Sequence, residues 1–278
     1  MVIVPRSFST TKHVSLPGRW RTIGVSERAP KRTDANLPNE DAIGCEVSDD
    51  GRAFFLAVAD GHGSEAYFRS HLGSQFAVEA AWHAAMRYQS GQFCFDQLPL
   101  QLENYWRQMV VEHYFAAELT ADELQIAKPL NIYEPYGTTL LFVVAKQNHL
   151  AAVRFGDGDI VSVTRDGMAL PIFPLSDKSS ATNILAQPNS YLNAEVTTRL
   201  LDPGAMPFLM ASTDGLSDGC ASDSDFMSIV EQLNLMTRRH CTDSLEAELR
   251  HLLGRVNGIA DGHGSNDDAT LALAFQEK

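Results

Sequence analysis

Residues 39–63 read NEDAIGCEVSDDGRAFFLAVADGHG, and the fold can be predicted outward from this segment. At its centre, Asp49-Asp50-Gly51 is a strong turn signal, and residues 53–59 form a continuous apolar run typical of a buried strand. Residues 43–48, on the other side of the turn, are also strand-like. The segment therefore predicts an antiparallel β-hairpin.

Three carboxylates are expected at the open end of this hairpin. In a ladder centred on Asp50, Glu40 and Asp41 lie opposite Asp60. Such groups repel each other unless a cation lies between them, and hard oxygen ligands of this kind suit Mg²⁺ or Mn²⁺. The alternative is that Asp41 and Asp60 only cap turns and helices, as Asp-Gly pairs often do. The hairpin alone leaves both interpretations open.

Three further acidic residues follow the same pattern, because each stands where a buried strand meets a turn. They are Asp157 after Phe155-Gly156, Asp214 after the strand at 208–212, and Asp267 just before the strand at 270–275. Strand ends on one edge of a core can bring distant residues together, and neighbouring glycines allow a close approach of backbone or ligand. The chain shows no His and Cys pattern of the kind that binds zinc.

Helical and strand-like patterns alternate along the rest of the chain in runs. Helical spacing covers residues 64–89, 98–125, 225–236 and 242–256, and strand-like segments cover 20–26, 138–145, 149–155, 160–164, 208–212 and 270–275. Residues 166–207 are richer in proline and polar residues and predict an excursion over the surface. Runs of strands separated by paired helices indicate an α+β fold rather than a doubly wound parallel sheet.

Composition excludes several classes of protein. With 278 residues, 44% apolar and 21% charged, the chain has material for one large core. Its net charge of −13 repels polyanions, so nucleic acid is not an expected partner. No apolar run approaches the ~18 residues of a membrane span and no signal peptide is evident, so no membrane association is expected. Four scattered cysteines fit a reducing cytoplasm.

Six short motifs resemble, in the family's order, those of the type 2C metal-dependent protein serine/threonine phosphatases. They are Asn39-Glu40-Asp41, 58–63 (VADGHG), Gly137-Thr138-Thr139, Gly156-Asp157-Gly158, 212–218 (STDGLSD) and 267–270 (DDAT). They span nearly the whole chain, and each is weak alone. The form of residues 37–41, preceded by Gly24-Val25-Ser26, looks most like a bacterial branch of the family.

The resemblance implies a four-layer α-β-β-α sandwich, in which two antiparallel sheets are flanked by helix pairs and two Mn²⁺ or Mg²⁺ ions bind at one end. Residues 19–278 would form a single catalytic domain after an irregular arm, 1–18, with a variable flap at 166–205.

The implied ligands are Asp60 bridging both ions, Glu40 and the Gly61 carbonyl on one, and Asp214 and Asp267 on the other. Asp41 would orient metal-bound water, and Asp157 would join Asp214 where some members hold a third ion. The implied reaction is attack on phosphorus by a metal-activated water.

His62 matches the family histidine that protonates the leaving alkoxide, a role that imidazole can fill near neutral pH. The alternative is a tight strand-to-helix connection in which the ring only fills space. The sequence Asp60-Gly61-His62-Gly63-Ser64 recurs at 261–265, in a different context, and we interpret the repeat as coincidence.

The chain departs from the family's usual pattern at three places. Asn36 stands where the family usually has an arginine that holds the substrate phosphate. Arg28, Lys31 or Arg32 could hold the phosphate instead. The alternative is that these residues form a solvated basic loop. Gly158-Asp159 replaces the usual Ser-Arg, and Asp268 stands where Asn is usual. The flap at 166–205 either gates the site or is a passive connection.

These features predict a cytoplasmic phosphatase of phosphoserine and phosphothreonine in proteins, acting on a serine/threonine kinase or the target of one. Two alternatives stay open. One is a non-catalytic phosphatase-like module that binds a partner, which the missing arginine favours and the intact acidic residues oppose. The other is a phosphohydrolase of small metabolites.

Overall fold

The computed structural model describes residues 19–29, 38–127, 131–175, 182–201, 206–239, 242–257, 265 and 267–276. Within these ranges the strands are β1 Trp20–Glu27, β2 Ala42–Val47, β3 Ala53–Ala59, β4 Leu140–Lys146, β5 His149–Phe155, β6 Asp159–Val163, β7 Ala169–Pro171, β8 Glu195–Leu200, β9 Phe208–Ser212 and β10 Ala269–Gln276. The α-helices are α1 Ser70–Gln89, α2 Leu98–Ala116, α3 Ala121–Ile126, α4 Asp214–Asp218, α5 Asp223–Thr237 and α6 Thr242–Asn257.

The strands form two five-stranded sheets in which all neighbouring strands are antiparallel. One sheet has the order β2-β3-β4-β5-β8, and the other has the order β1-β10-β9-β6-β7. None of the helices in the described part of the chain combines the length and apolarity that a membrane span requires.

Alternating side chains place the two sheets face to face with helices outside. On β3, Phe54, Leu56 and Val58 point into the core between the sheets, together with Leu209 and Ala211 of β9. The intervening residues of β3 pack against α1 and α2, and those of β9 pack against α5 and α6. Because successive strand residues face opposite sides of a sheet, each sheet buries both faces. The predicted α-β-β-α sandwich with paired helices is confirmed.

The hairpin predicted for residues 43–59 forms from β2 and β3. Ala42 pairs with Ala59, and the chain turns through Gly51, whose φ of +68° favours glycine. One residue beyond the last pair, Asp41 and Asp60 leave the ladder side by side. The sheet thus delivers two carboxylates to one end of the sandwich.

The surface excursion predicted for residues 166–207 is wrong in two places, because β7 and β8 extend the two sheets there. In β8 most side chains are at least partly exposed, so the segment has no buried apolar pattern from which a strand could be predicted. It forms because β5 offers it an unpaired edge, and Glu195 also pairs with the buried Arg154. The first long helix begins at Ser70 rather than at residue 64, after a single 3-10 turn at Glu65–Tyr67.

Candidate metal centre

Carboxylates from four separate elements meet at one end of the sandwich. Asp60 follows β3, Asp41 precedes β2, Asp214 begins α4 directly after β9, and Asp267 stands just before β10. Burial raises the pKa of Asp60 well above its usual value, and the charges of Asp41, Asp214 and Asp267 raise it further. The structure therefore brings Asp41, Asp214 and Asp267 close enough to Asp60 for their charges to act on it.

The chemistry of this cluster fits a cation. Burial raises the pKa of Asp214 to about 7, with contributions from the charges of Asp157, Asp218 and Asp267. Burial also raises the pKa of Asp41 to about 7, and the charge of Asp268 adds to the effect. One oxygen of each, Oδ1, is buried without a hydrogen-bond partner. Buried carboxylates with unused lone pairs are costly unless a positive charge compensates them.

Among the residues that the structure describes, no three acidic, histidine or cysteine side chains converge closely enough to hold an ion as they stand. The donor set is nevertheless composed of carboxylate oxygens, which is the set that Mg²⁺ and Mn²⁺ prefer.

Glu40 and Gly61 lie against each other beside this cluster. A Cβ atom on Gly61 would lie 2.7 Å from the Glu40 carbonyl oxygen, so only glycine allows this approach. Helix α1 holds Glu40 from the other side: Ser70 Oγ donates to Glu40 Oε1 at 2.9 Å, and Ser74 Oγ donates to the Glu40 carbonyl at 2.6 Å. The carboxylate and the Gly61 peptide are therefore fixed near each other.

The backbone of Asp60 is held by the Gly137-Thr138-Thr139 motif. The Asp60 carbonyl accepts hydrogen bonds from Thr139 N–H at 2.9 Å and from Thr138 Oγ at 2.8 Å. Asp60 N–H donates to Thr139 Oγ1 at 3.0 Å. Two threonines thus fix the backbone N–H and the backbone carbonyl of Asp60, which accounts for the motif.

Asp157 approaches the cluster from the turn between β5 and β6. The flanking glycines, Gly156 and Gly158, have φ of +96° and +89°, a region that disfavours other residues. Thr182 Oγ1 donates to Asp157 Oδ2 at 2.8 Å, so the described part of the 166–205 segment contacts the site. The charge of Asp157 is felt by both Asp214 and His62.

His62 lies among carboxylates but in an apolar setting. Its ring packs on Tyr67 with 5.1 Å between centroids, and its backbone N–H donates to the Gly137 carbonyl at 3.3 Å. Burial lowers the pKa of His62, although the charges of Asp157, Glu40 and Asp267 oppose this. Burial of the ring therefore disfavours its charged form, and the surrounding carboxylates favour it.

Asp268 joins two segments that the sequence places far away. Its Oδ1 accepts from Ala29 N–H at 2.8 Å and its Oδ2 from Glu40 N–H at 2.9 Å. The half-buried Arg28 is thereby brought to the edge of the site. Two acceptors are needed here, and an asparagine would offer only one. Lys31, Arg32, Asn36 and the repeat at 261–264 lie outside the described residues.

Sequence reasoning did not select Ser70, Thr182 or Asp218 as site residues. Asp218 had a usable signal, since it follows Asp214 by four residues and adds its charge on one side of α4. Ser70 and Thr182 had none, because each meets its carboxylate across a long stretch of chain.

A sequence model of the family described as Protein phosphatase 2C matches residues 28–254. Serine/threonine-protein phosphatase 3 of Escherichia coli (strain K12) is 23% identical over 269 residues, which cover 92% of this chain and 98% of that protein. The solved Mycobacterium tuberculosis serine/threonine phosphatase PstP/Ppp has a TM-score of 0.61 at 21% identity, over 93% of this chain and 99% of the other. The catalytic domain of PstP in complex with two manganese ions has a TM-score of 0.60, at the same identity and coverage.

Proposed function

This chain belongs to the protein phosphatase 2C family, whose members are metal-dependent protein phosphatases, and from that premise we propose that it hydrolyses phosphoserine and phosphothreonine in proteins with Mn²⁺ or Mg²⁺. The predicted family is confirmed, and the relatives described above are bacterial proteins. The observation that carries the proposal is the buried carboxylate cluster at one end of the sandwich, in which burial and the charges of Asp41, Asp214 and Asp267 raise the pKa of Asp60.

We assign the metal-binding roles as the resemblance implied. Asp60 would bridge two ions, with Glu40 and the Gly61 carbonyl on one and Asp214 and Asp267 on the other. Asp157 would share a third ion with Asp214, and the effect of its charge on the pKa of Asp214 supports this role. When bound, such ions supply an acidified water nucleophile and neutralise charge on the phosphoryl oxygens.

Two further side chains of this protein would act on the attacking water and on the leaving group. Asp41 is buried and accepts from Thr213 Oγ1 at 3.0 Å, which leaves its other oxygen to orient the attacking water. His62 would protonate the departing serine or threonine oxygen. Burial lowers the pKa of the ring, and the negative charge of a bound substrate phosphate would favour the protonated form that this role requires.

Substrate phosphate is assigned to the basic residues after β1. Arg28 is tied to the site through the hydrogen bond of its neighbour Ala29 to Asp268, and Lys31 and Arg32 follow in sequence. Charge reversal at Arg28 should raise KM for a phosphopeptide more than it lowers kcat. An unchanged KM in single variants at all three positions would return this segment to a solvated basic loop.

The physiological substrate and the location of the protein are proposals that rest on sequence. We propose a phosphorylated serine/threonine kinase, or a target of one, as the substrate. We propose the cytoplasm as the location, supported by cysteines that lie scattered along the chain. Gating by residues 166–205 stays a prediction.

The decisive experiment measures hydrolysis of a phosphothreonine peptide and of p-nitrophenyl phosphate with added Mn²⁺, with added Mg²⁺ and in excess chelator. We expect turnover only with metal, and recovery when metal is restored. Full activity in chelator would contradict the mechanism. Tight Mn²⁺ binding without turnover of either compound would instead favour a partner-binding module, and turnover of p-nitrophenyl phosphate alone would favour a metabolite phosphohydrolase.

A further inference from the structure

A buried arginine stands immediately before α1, outside the carboxylate cluster. The guanidinium of Arg69 donates to both carboxylate oxygens of Glu123, from Nε at 2.8 Å and from Nη2 at 3.1 Å. Its Nη1 donates to the hydroxyl of Tyr136 at 2.9 Å. Only 6% of Arg69 is exposed. Because burying an ion pair is weak evidence for stability, this arrangement calls for a more specific role.

Arg69 holds the segment that leads into the Gly137-Thr138-Thr139 motif. Besides the side-chain bond to Tyr136, Arg69 N–H donates to the Pro135 carbonyl at 2.8 Å. The Tyr136 hydroxyl also shares a hydrogen bond with His113 Nδ1 at 2.8 Å. A Cβ atom on Gly73 would lie 2.0 Å from the Tyr136 carbonyl, so the backbone of α1 lies directly against this residue. Residues 135 and 136 are therefore fixed relative to α1.

Further along the same segment, Thr138 and Thr139 bind the backbone of Asp60. They contact its N–H and its carbonyl, and the Gly137 carbonyl accepts from the backbone N–H of His62. A displacement of Tyr136 is therefore passed along a short stretch of chain to the carboxylate proposed to bridge the ions.

The residue after Arg69 binds a second proposed ligand. Ser70 Oγ donates to Glu40 Oε1 at 2.9 Å, and Arg69 supplies the carbonyl that begins the hydrogen bonding of α1. The main chain at residues 69–70 thus lies between the support of Asp60 and the support of Glu40.

An outer anchor completes the chain of contacts. Glu123 belongs to α3, and its Oε2 also accepts from Thr120 N–H at 2.8 Å in a capping box. The Glu123 side chain is 19% exposed, so the anchor reaches the surface.

From these contacts we propose that Arg69 is a positioning residue for the metal centre, held on its outer side by Glu123 and acting through Tyr136 and Ser70 to set the spacing between Asp60 and Glu40. The inference rests on the proposed function. Arg69 contacts neither ion nor substrate in this role. What it contributes is geometry, since outer partners that orient metal ligands affect metal affinity about 10–100-fold in known sites.

The experiment measures Mn²⁺ affinity by calorimetry on the full chain, together with kcat and KM for a phosphopeptide at saturating Mn²⁺. The variants are Arg69→Lys, Glu123→Gln and Tyr136→Phe. The lysine keeps the charge but cannot bind both oxygens of Glu123 through two nitrogens, and Tyr136→Phe, the least disruptive of the three, removes only one hydroxyl. We expect each to weaken Mn²⁺ binding about tenfold or more, with kcat lowered and KM for the peptide nearly unchanged.

Arg107→Lys is the matched control. Arg107 is a partly buried arginine that pairs with Glu103 and binds the Gln187 carbonyl, so its variant should lower the melting temperature in chelator without changing Mn²⁺ affinity. Wild-type Mn²⁺ affinity in both Tyr136→Phe and Arg69→Lys would overturn this inference and leave the proposed function intact. A wild-type protein that binds no Mn²⁺ would overturn both.

Discussion

Among single residues, the acidic side chains of the metal centre should destabilise the metal-free protein by an amount that depends on pH. Burial and neighbouring charges raise the pKa of Asp214 from its ordinary 3.8 to about 7. At pH values between 3.8 and about 7, Asp214 keeps a proton in the folded state that it releases in the unfolded chain. Stability of the metal-free protein therefore falls as pH rises from about 4 to 7, and the loss persists above pH 7.

Asp214→Asn removes this charge and should make the metal-free protein more stable than wild type at pH 8, by about 1–3 kcal/mol, with the difference fading near pH 4. Turnover with Mn²⁺ should fall by orders of magnitude. Urea unfolding in chelator at the two pH values measures the first effect, and the exposed Asp96→Asn is the control. A metal-free Asp214→Asn protein clearly less stable than wild type at pH 8 would refute the idea of mutual repulsion.

The role of His62 can be separated from that of the metals by the leaving group. A serine alkoxide needs a proton as it departs, whereas p-nitrophenolate does not. His62→Gln should therefore lose about 10²–10⁴-fold in kcat on a phosphoserine peptide and far less on p-nitrophenyl phosphate. Equal losses on both compounds would mean that the ring positions metal or water, and the acid role would be withdrawn. His263→Gln should show neither loss, if the repeated sequence is a coincidence.

At the scale of elements, the outer helices are held by buried apolar side chains and should not tune the chemistry. Leu249 of α6 is fully buried in the cluster formed with β1, β9 and β10. Leu249→Ala should cost about 2–5 kcal/mol in the free energy of unfolding, since it leaves a cavity, while KM and kcat stay near wild type. Leu235→Ala, in α5, is the control because Leu235 is 43% exposed, and it should cost far less. Similar costs for both variants in urea titrations would contradict this packing.

At the scale of the whole molecule, the net charge of −13 should select among substrates before any contact forms. A field of this sign attracts basic segments and repels acidic ones, and salt weakens it over a Debye length of about 10 Å at 0.1 M. Of two phosphothreonine peptides that differ only in flanking charge, the one with basic flanks should have the higher kcat/KM. The ratio should shrink between low and high salt. A ratio that does not depend on salt would assign the preference to local contacts instead.

The parts of this protein that depend on local pattern could be predicted from the sequence. The turn at Asp50 and the continuous apolar run at 53–59 predicted the hairpin, and the acidic residues at strand ends indicated that distant carboxylates could come together. Helical spacing likewise predicted the paired helices, because burial of one face imposes its own period.

The contacts that join distant segments could not be predicted from the sequence. Strand β8 exists because β5 presents an open edge, and its own polar residues carry no strand pattern. Asp268 binds amides more than 200 residues earlier in the chain, and Arg69 reaches Glu123 across 54 residues. Such contacts have no period and no fixed spacing, since each depends on how complete elements pack, and packing is settled only when the whole core has formed.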